Sequence, residues 1–194
     1  MPFEIEKKYR LTKKQRERIT RRLRELKAKP SPEEFEENTL YRGGLIDFGR
    51  RVLRLRRVGQ RAILTFKERL PSASPIKRQR EEETEIADAE ALDAILSAVG
   101  FQPSLIYEKR RTRWKLGKAE VVLDELPFGQ FMEIEASESE IARVEKLLGA
   151  ERLRAELETY PGLTARLGKK RDSVIEARFS RSRPRRSAPK SLQR

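Results

Sequence analysis

Near its start the chain reads Phe3-Glu4-Ile5-Glu6-Lys7-Lys8-Tyr9-Arg10. Counted at a period of two, one set of positions is mainly apolar and the other is entirely charged, which predicts a β-strand. The charged face is ordered, because the carboxylates of Glu4 and Glu6 precede the cations of Lys8 and Arg10. Such a face suits a polyanion that is held through metal ions at one end and directly by Lys and Arg at the other.

The spacing Glu4-x-Glu6-x-Lys8 resembles the signature of the CYTH superfamily, also called the triphosphate tunnel metalloenzymes. The resemblance implies a closed tunnel of eight antiparallel strands, and the family includes class IV adenylate cyclases, thiamine triphosphatases and inorganic triphosphatases. An ordinary solvated edge strand also produces this spacing in a chain that is 39% charged. The remaining strands therefore have to decide between the two interpretations.

Length and composition restrict the chemistry. The 194 residues suffice for one domain with a core, and the chain has no Cys and no His. Disulfides, ordinary zinc sites and Cys or His nucleophiles are thereby excluded, so any metal must be a hard cation bound by oxygen. No apolar run is long enough to span a membrane, and the charged strand that starts at residue 3 leaves no room for a signal peptide. The sequence therefore predicts a cytoplasmic protein that does not cross a membrane.

The positive charge is concentrated at the end of the chain. The net charge is +14, yet residues 166–194 hold 11 Lys or Arg and only two acids. We therefore expect a tunnel domain over residues 1–165 and a disordered basic tail over residues 166–194. The tail either acts as a solubilising extension or makes a weak contact with a polyanion such as RNA or with a membrane surface.

A predicted hairpin around Gly59 adds a cationic face. Its first strand, over residues 51–58, places Arg54 and Arg56 on one face, and its second strand, over residues 60–68, ends near Lys67. This pattern resembles the family's Leu-Arg-x-Arg strand followed by a strand that ends in Lys.

A fifth strand is predicted over residues 76–86, and its phase is ambiguous. Glu81, Glu83 and Glu85 share one face, whereas Arg80 is in phase with Glu82 on the other. Members of the family usually carry Arg-x-Glu-x-Glu here, and this chain has no clean copy. We favour Glu81 and Glu83 as the inward residues.

Three further strands complete the set of eight. The strand over residues 105–116 aligns Lys109, Arg111 and Arg113, and the next, over residues 119–126, carries Glu120 and Asp124 on one face. The last strand follows the pattern Gly129-x-Phe131-x-Glu133-Ile134-Glu135, which resembles the family's last tunnel strand.

The other segments are predicted as helices, a short strand and loops. Asn38–Arg42 is predicted as a short second strand that contains Tyr41, after an acidic, solvated loop over Glu33–Glu37. The predicted helices cover residues 11–29 with Thr12 as N-cap, residues 88–99 with Asp88 as N-cap, residues 139–148, residues 151–157 and a short segment at Tyr160.

These elements predict an α+β fold, a closed eight-stranded antiparallel β-barrel with a charged interior that is covered by surface helices. A barrel with an apolar interior is the alternative. It would leave the apolar faces of the helices with nothing to cover. Burying so many charges is costly unless they are paired, hydrated or ligand-bound, so the barrel should hold an ionic ligand.

Ligand chemistry assigns the candidate roles. Metal ligands for Mg²⁺ or Mn²⁺ are Glu4, Glu6, Asp124, Glu133 and Glu135. Substrate-binding cations are Lys8, Arg54, Arg56, Lys67, Lys109 and Arg111. Lys8 is also the candidate for positioning the nucleophile, Tyr41 is a candidate base, and Glu81, Glu83 and Arg113 are further candidates.

Three functions are compatible with this arrangement. A divalent-metal-dependent hydrolase would act on a small inorganic or organic triphosphate. A class IV adenylate cyclase would convert ATP to cyclic AMP and pyrophosphate, and a non-catalytic module would bind polyphosphate or RNA without turnover. The sequence is compatible with a monomer or a homodimer.

Overall fold

The computed structural model describes residues 3–47, 49–71 and 75–180 of the chain. The strands in this part are β1 (Phe3–Leu11), β2 (Lys29–Pro30), β3 (Glu34–Arg42), β4 (Arg51–Val58), β5 (Arg61–Arg69), β6 (Lys77–Ile86), β7 (Gln102–Leu116), β8 (Ala119–Leu126), β9 (Gly129–Glu135), β10 (Lys169–Arg171) and β11 (Val174–Ala177). The helices in the same part are α1 (Lys13–Glu25), α2 (Ala89–Ala98), α3 (Glu138–Leu148) and α4 (Tyr160–Leu167).

Eight of these strands form a closed antiparallel barrel. Their order around the wall is β7, β3, β4, β5, β6, β1, β9 and β8, and β8 pairs back with β7. Strands β1 and β3 lie four positions apart in this ring, so they face each other across the interior. The predicted α+β fold with a closed eight-stranded antiparallel β-barrel is confirmed.

The helices pack on the outer face of the barrel. Helix α1 begins at a capping box in which the Thr12 hydroxyl accepts from the Gln15 N–H, and the Gln15 side chain accepts from the Thr12 N–H. Its buried residues Ile19 and Leu23 belong to one apolar cluster with Ile134 of β9. The apolar strand faces thus point outward, as the sequence predicted.

The interior has two zones, which refines the predicted charged interior. Its middle is lined by charged side chains, whereas one end is packed by an apolar cluster. This cluster includes Leu40, Leu105 and Phe131 from the inner faces of strands, together with Tyr160 and Leu163 of α4. Helix α4 therefore packs at an apolar end of the barrel.

Strand β7 is longer than its neighbours and takes extra partners. Strand β8 pairs with residues 110–116 of β7, and β11 pairs in parallel with Leu105–Tyr107. The C-terminal strand thus extends the sheet along a stretch of β7 that β8 does not reach.

Two predicted segments are corrected. The acidic loop expected over residues 33–37 is the first part of β3, which starts at Glu34. The helix expected over residues 151–157 is not present; Ala155 forms an isolated bridge with Tyr9 there. The acidic stretch was mistaken for a loop because both faces of the strand carry charge.

The predicted disordered tail is also corrected in part. Residues 166–180 are not a disordered tail, since α4 continues to Leu167 and the β10–β11 hairpin follows. Arg178 adds salt bridges to Glu37 of β3 and Glu108 of β7. The remainder of the predicted tail, residues 181–194, lies outside the described residues.

None of the helices in the described ranges has the length and apolar character that crossing a membrane requires.

Candidate active site in the tunnel

A cavity of about 350 Å³ occupies the interior of the barrel. Every strand of the barrel wall except β3 contributes to its lining, so the residues come together from distant parts of the chain. Predicted site residues in the lining are Glu4, Glu6, Arg54, Arg56, Lys67, Glu81, Glu83, Lys109, Arg111, Arg113, Glu133 and Glu135.

Three carboxylates form a cluster on one wall. Glu4 and Glu6 of β1 and Glu135 of β9 each place a carboxylate oxygen within 4.8 Å of the other two. The cause is register, because Glu6 pairs directly with Glu135 across the two strands. Three of the five predicted metal ligands are thus brought together.

The carboxylate cluster is electrostatically strained without a cation. Burial, together with the nearby charges of Glu4, Glu133 and Glu6, raises the pKa of Glu135 to about 8 despite the opposing charge of Arg111. A proton or a hard cation relieves this repulsion, and carboxylate oxygens are the ligands that Mg²⁺ and Mn²⁺ prefer. The donor set therefore fits a divalent cation.

Glu4 connects the carboxylate cluster to the cationic wall. Its carboxylate accepts from Lys67 at 2.8 Å and from Gln79 at 2.6 Å. Burial alone would raise the pKa of Glu4, but hydrogen bonding with Glu81 and the charge of Lys67 hold it well below its usual range. The pKa of Glu81 is raised in turn to about 8, by burial and by the hydrogen bond with Glu4.

The other two predicted metal ligands, Asp124 and Glu133, are hydrogen-bonded to Arg111. Arg111 donates to both oxygens of Asp124, at 2.7 and 2.6 Å, and to Glu133 at 2.7 Å. Tyr160 of α4 also donates to Asp124, at 2.9 Å. Asp124 and Glu133 hold Arg111 in place, and neither belongs to the three-carboxylate cluster.

The phase of β6 is settled by its contacts. Glu83 accepts from Arg54 at 3.3 Å, from Arg56 at 3.0 Å and from the Thr65 hydroxyl at 2.7 Å. Glu81 pairs with Lys67 at 2.8 Å. The favoured assignment of Glu81 and Glu83 to the inner face is therefore correct.

A buried carboxylate that the sequence analysis missed holds the cations of β7. Glu36 is fully buried on β3, and its carboxylate lies 3.1 Å from the Lys109 ammonium, 3.9 Å from Arg111 and 3.7 Å from Arg113. Burial alone would raise the pKa of Glu36, but the charges of Lys109, Arg111, Arg56 and Arg54 hold it well below its usual range. Continuing the period-two pattern of the predicted second strand four residues toward the N-terminus, to Glu34, would have included Glu36.

Lys8 lies near α4, outside the cavity lining. Its ammonium lies 4.2 Å from the centre of the Tyr160 ring and donates to the backbone carbonyl of Glu158. Burial, with the like charge of Lys77, lowers the pKa of Lys8 to about 7 even though Glu133 and Glu6 oppose the shift.

Two residues expected on the tunnel face lie elsewhere. Tyr41, the candidate base, lies on the outer face of β3, where its hydroxyl donates to Asp93 of α2. Its position excludes contact with the cavity, so this assignment is corrected. Arg10 is 43% exposed at its side chain and donates to the carbonyl of Phe128, so it does not line the cavity either.

The fold and the lining define a class of proteins, the closed antiparallel barrels with a charged interior. The model of the CYTH domain matches residues 2–160, and the chain belongs to this family. Among curated proteins, none matches this sequence.

Solved structures agree with this family membership. The PH1012 protein of Pyrococcus horikoshii OT3 is 26% identical and superposes with a TM-score of 0.71 over 81% of this chain and 96% of that one. HpAC1 of Hippeastrum, described as an adenylyl cyclase candidate with a dominant triphosphatase activity, is 18% identical with a TM-score of 0.65, over 82% of this chain and 94% of that one. At that identity the likeness to HpAC1 shows the fold alone.

Proposed function

We propose that this protein is a divalent-metal-dependent triphosphatase that releases orthophosphate from a small triphosphate bound in the tunnel. The observation that carries the proposal is the division of the cavity. The carboxylates of Glu4, Glu6 and Glu135 gather on β1 and β9, and cations from β4, β5 and β7 surround the rest of the space. A polyphosphate chain with bound metal matches both parts.

The carboxylate cluster would hold Mg²⁺ or Mn²⁺. A cation held by these carboxylates would supply positive charge that offsets the negative charge of the phosphate oxygens. Glu133 and Asp124 support this arrangement indirectly, because they fix Arg111 beside the cluster.

The cations would bind the phosphate chain by exchanging partners. Arg54, Arg56 and Lys67 are now paired with carboxylates of β6. Phosphate oxygens offer the same charge-assisted acceptors, so a bound triphosphate can take the place of these carboxylates. Lys109 and Arg111 would add positive charge that stabilises the leaving group, which is the remaining phosphate chain, as its bond to the terminal phosphorus breaks.

Water is the proposed nucleophile. Lys8, the candidate for positioning it, lies outside the cavity lining beside α4, so no contact with the water is assigned to it. A hydrolase needs to grip phosphates only. A cyclase must also hold a nucleoside so that its 3′-hydroxyl attacks the innermost phosphorus, whereas most of the described residues that line the cavity are carboxylates and cations, which suit phosphate groups.

The test is a product analysis with inorganic triphosphate and ATP, each supplied with Mg²⁺ or Mn²⁺. We expect orthophosphate from inorganic triphosphate, at a higher kcat/KM than any ATP reaction, and none in excess chelator. Cyclic AMP and pyrophosphate as the main products from ATP would establish the cyclase instead. Binding of triphosphate without turnover under either metal would establish a binding module.

A further inference from the structure

The amide of Asn38 is among the buried polar groups of the barrel that have no hydrogen-bond partner in the described part of the chain. Asn38 of β3 is fully buried, and among the described residues neither its amide nitrogen nor its amide oxygen has a partner. An Asn amide carries two N–H donors and an acceptor oxygen, so several hydrogen bonds are unmade here. Burying an unpaired amide opposes folding, and a leucine of similar size would avoid that cost.

Register places this amide on the inner face of the barrel. Asn38 pairs with Arg56 of β4 on one side and with Tyr107 of β7 on the other. Directly paired residues of antiparallel strands project to the same side of the sheet, and Arg56 and Tyr107 both line the cavity. Asn38 therefore projects to the inner face of the barrel. It lies behind the present cavity lining, and a ligand reaches it only when the arginines beside it move.

The neighbouring Arg54 and Arg56 each have a buried nitrogen atom that lacks a hydrogen-bond partner in the described part of the chain. The Nε atoms of Arg54 and Arg56 are buried and lack partners in the described part of the chain, whereas their Nη2 atoms donate to Glu83. Three side chains on adjacent strands thus offer unused donors, and Asn38 offers one unused acceptor. A ligand with several acceptor oxygens would accept hydrogen bonds from these donors and draw the arginines away from Glu83. An arginine that moves in this way can turn its Nε–H toward the Asn38 oxygen.

We propose that Asn38 is a substrate-binding residue, whose Nδ2 donates to the same phosphoryl group that Arg54 and Arg56 bind while its Oδ1 accepts from an arginine Nε–H. The ligand is a phosphate group whose oxygens are acceptors only. The amide contributes a directed contact without adding charge, and it fixes the orientation of an arginine that would otherwise rotate. This inference rests on the proposed function, because it requires a phosphate chain in the tunnel.

The test is calorimetric titration of the full chain with inorganic triphosphate in excess chelator, which separates binding from turnover. We expect Asn38→Leu to bind about tenfold more weakly or worse, since a hydrogen bond to a charged group is lost. Its melting temperature without ligand should equal or exceed that of the wild type, because an unpaired amide has been removed. Gln130→Leu is a matched control. The Gln130 Oε1 is also buried without a partner in the described part of the chain, but Gln130 alternates with the inward Phe131 and Glu133 of β9 and so points outward. This change should leave the affinity for triphosphate unchanged.

A second variant keeps the test decisive if Asn38→Leu does not fold. Asn38→Asp has the shape of the amide, loses the donor and adds a negative charge, so it should bind triphosphate more weakly than the wild type. Affinity within twofold of the wild type for either folded variant would overturn the role of Asn38. Failure of the wild type itself both to bind inorganic triphosphate in chelator and to hydrolyse it with Mg²⁺ or Mn²⁺ would instead overturn the proposed function.

Discussion

Glu36 shows how single residues organise the tunnel. Its carboxylate lies between cations of β4 and β7, and the closest of them, the Lys109 ammonium, is 3.1 Å away. Both side chains are almost completely buried. A charge in such a place is tolerated only with its partners, so the loss of one partner costs more than the pair contributes to stability.

Glu36→Gln should therefore destabilise the fold by about 3 kcal/mol at pH 7. The pKa of Glu36 in the folded chain lies below its ordinary value of 4.5, so its stabilising effect is present above pH 4.5 and is lost as the pH falls below it. Urea unfolding of both proteins from pH 7 to pH 3 should show the difference shrinking.

The control for this prediction is Glu37→Gln, on the outer face of the same strand. Its carboxylate pairs with Arg178 and is 30% exposed, so the change should stay within about 1 kcal/mol. A Glu36→Gln difference that is as large at pH 3 as at pH 7 would refute the electrostatic explanation.

Glu135 should show the opposite pH dependence. The pKa of Glu135 is raised to about 8 in the folded chain, which therefore keeps a proton that the unfolded chain loses above pH 4.5. As the pH rises from 4.5 to 8, this carboxyl group lowers the free energy of unfolding more and more. In excess chelator, Glu135→Gln should raise the melting temperature at pH 8.5 and leave it nearly unchanged at pH 4.

The same Glu135→Gln protein should lose most of the proposed triphosphatase activity, because one of the three proposed metal ligands is gone. Glu125→Gln, which alters a carboxylate of β8 that is 38% exposed, is the control for both measurements. A lower melting temperature for Glu135→Gln at pH 8.5 in chelator would contradict the cause given for the pKa shift.

At the scale of the elements, a strand can be predicted from the sequence when its two faces differ in polarity, and it is missed when both faces carry similar residues. The alternation in β1, β4 and β9 is visible because one face is mainly apolar, and that in β7 is visible because cations recur at alternate positions. These strands predicted the closed barrel. Strand β3 begins Glu34-Phe35-Glu36-Glu37, with acids on both faces, and only its pairing with Lys109 and Arg111 shows which acids point inward.

Long-range pairing also hides the C-terminal elements. Strand β11 has four residues, and its partner segment, Leu105–Tyr107, lies some 70 positions earlier in the chain. Composition alone predicts disorder for such a basic segment. The grouping of Glu4, Glu6 and Glu135 was within reach of the sequence, whereas the pairing of Asp124 with Arg111 depends on the register of β7 and β8.

Two truncations should separate the ordered part of the C-terminal segment from the rest. Ending the chain after Ser180 should leave the melting temperature and triphosphate turnover unchanged. Ending it after Leu167 removes β11, with buried Ala177 and its pairing to β7, and should lower the melting temperature by roughly 5 °C or more. Equal melting temperatures for the two truncated proteins would show that β11 does not stabilise the barrel.

At the scale of the whole molecule, the barrel reverses the usual distribution of polar and apolar side chains. The outward faces of β1, β8 and β9 are mainly apolar and lie beneath α1 and α3, whereas the middle of the barrel holds paired charges. Those ion pairs contribute little net stability because desolvation offsets their attraction. Stability therefore comes mainly from the outer layer, and the tunnel charges are left available for a ligand.

The net charge of +14 acts separately from the tunnel. Residues 181–194 include six Lys or Arg and no acid, so they should attract polyanions without selecting among them. Each cation that contacts single-stranded nucleic acid contributes about 0.7 to the slope of log affinity against log salt. Ending the chain after Ser180 should therefore lower that slope for a single-stranded RNA by up to about 4. Fluorescence anisotropy across a salt series measures the slope, and triphosphate affinity measured beside it should not change. An unaltered RNA slope would assign polyanion attraction to the barrel domain instead of to residues 181–194.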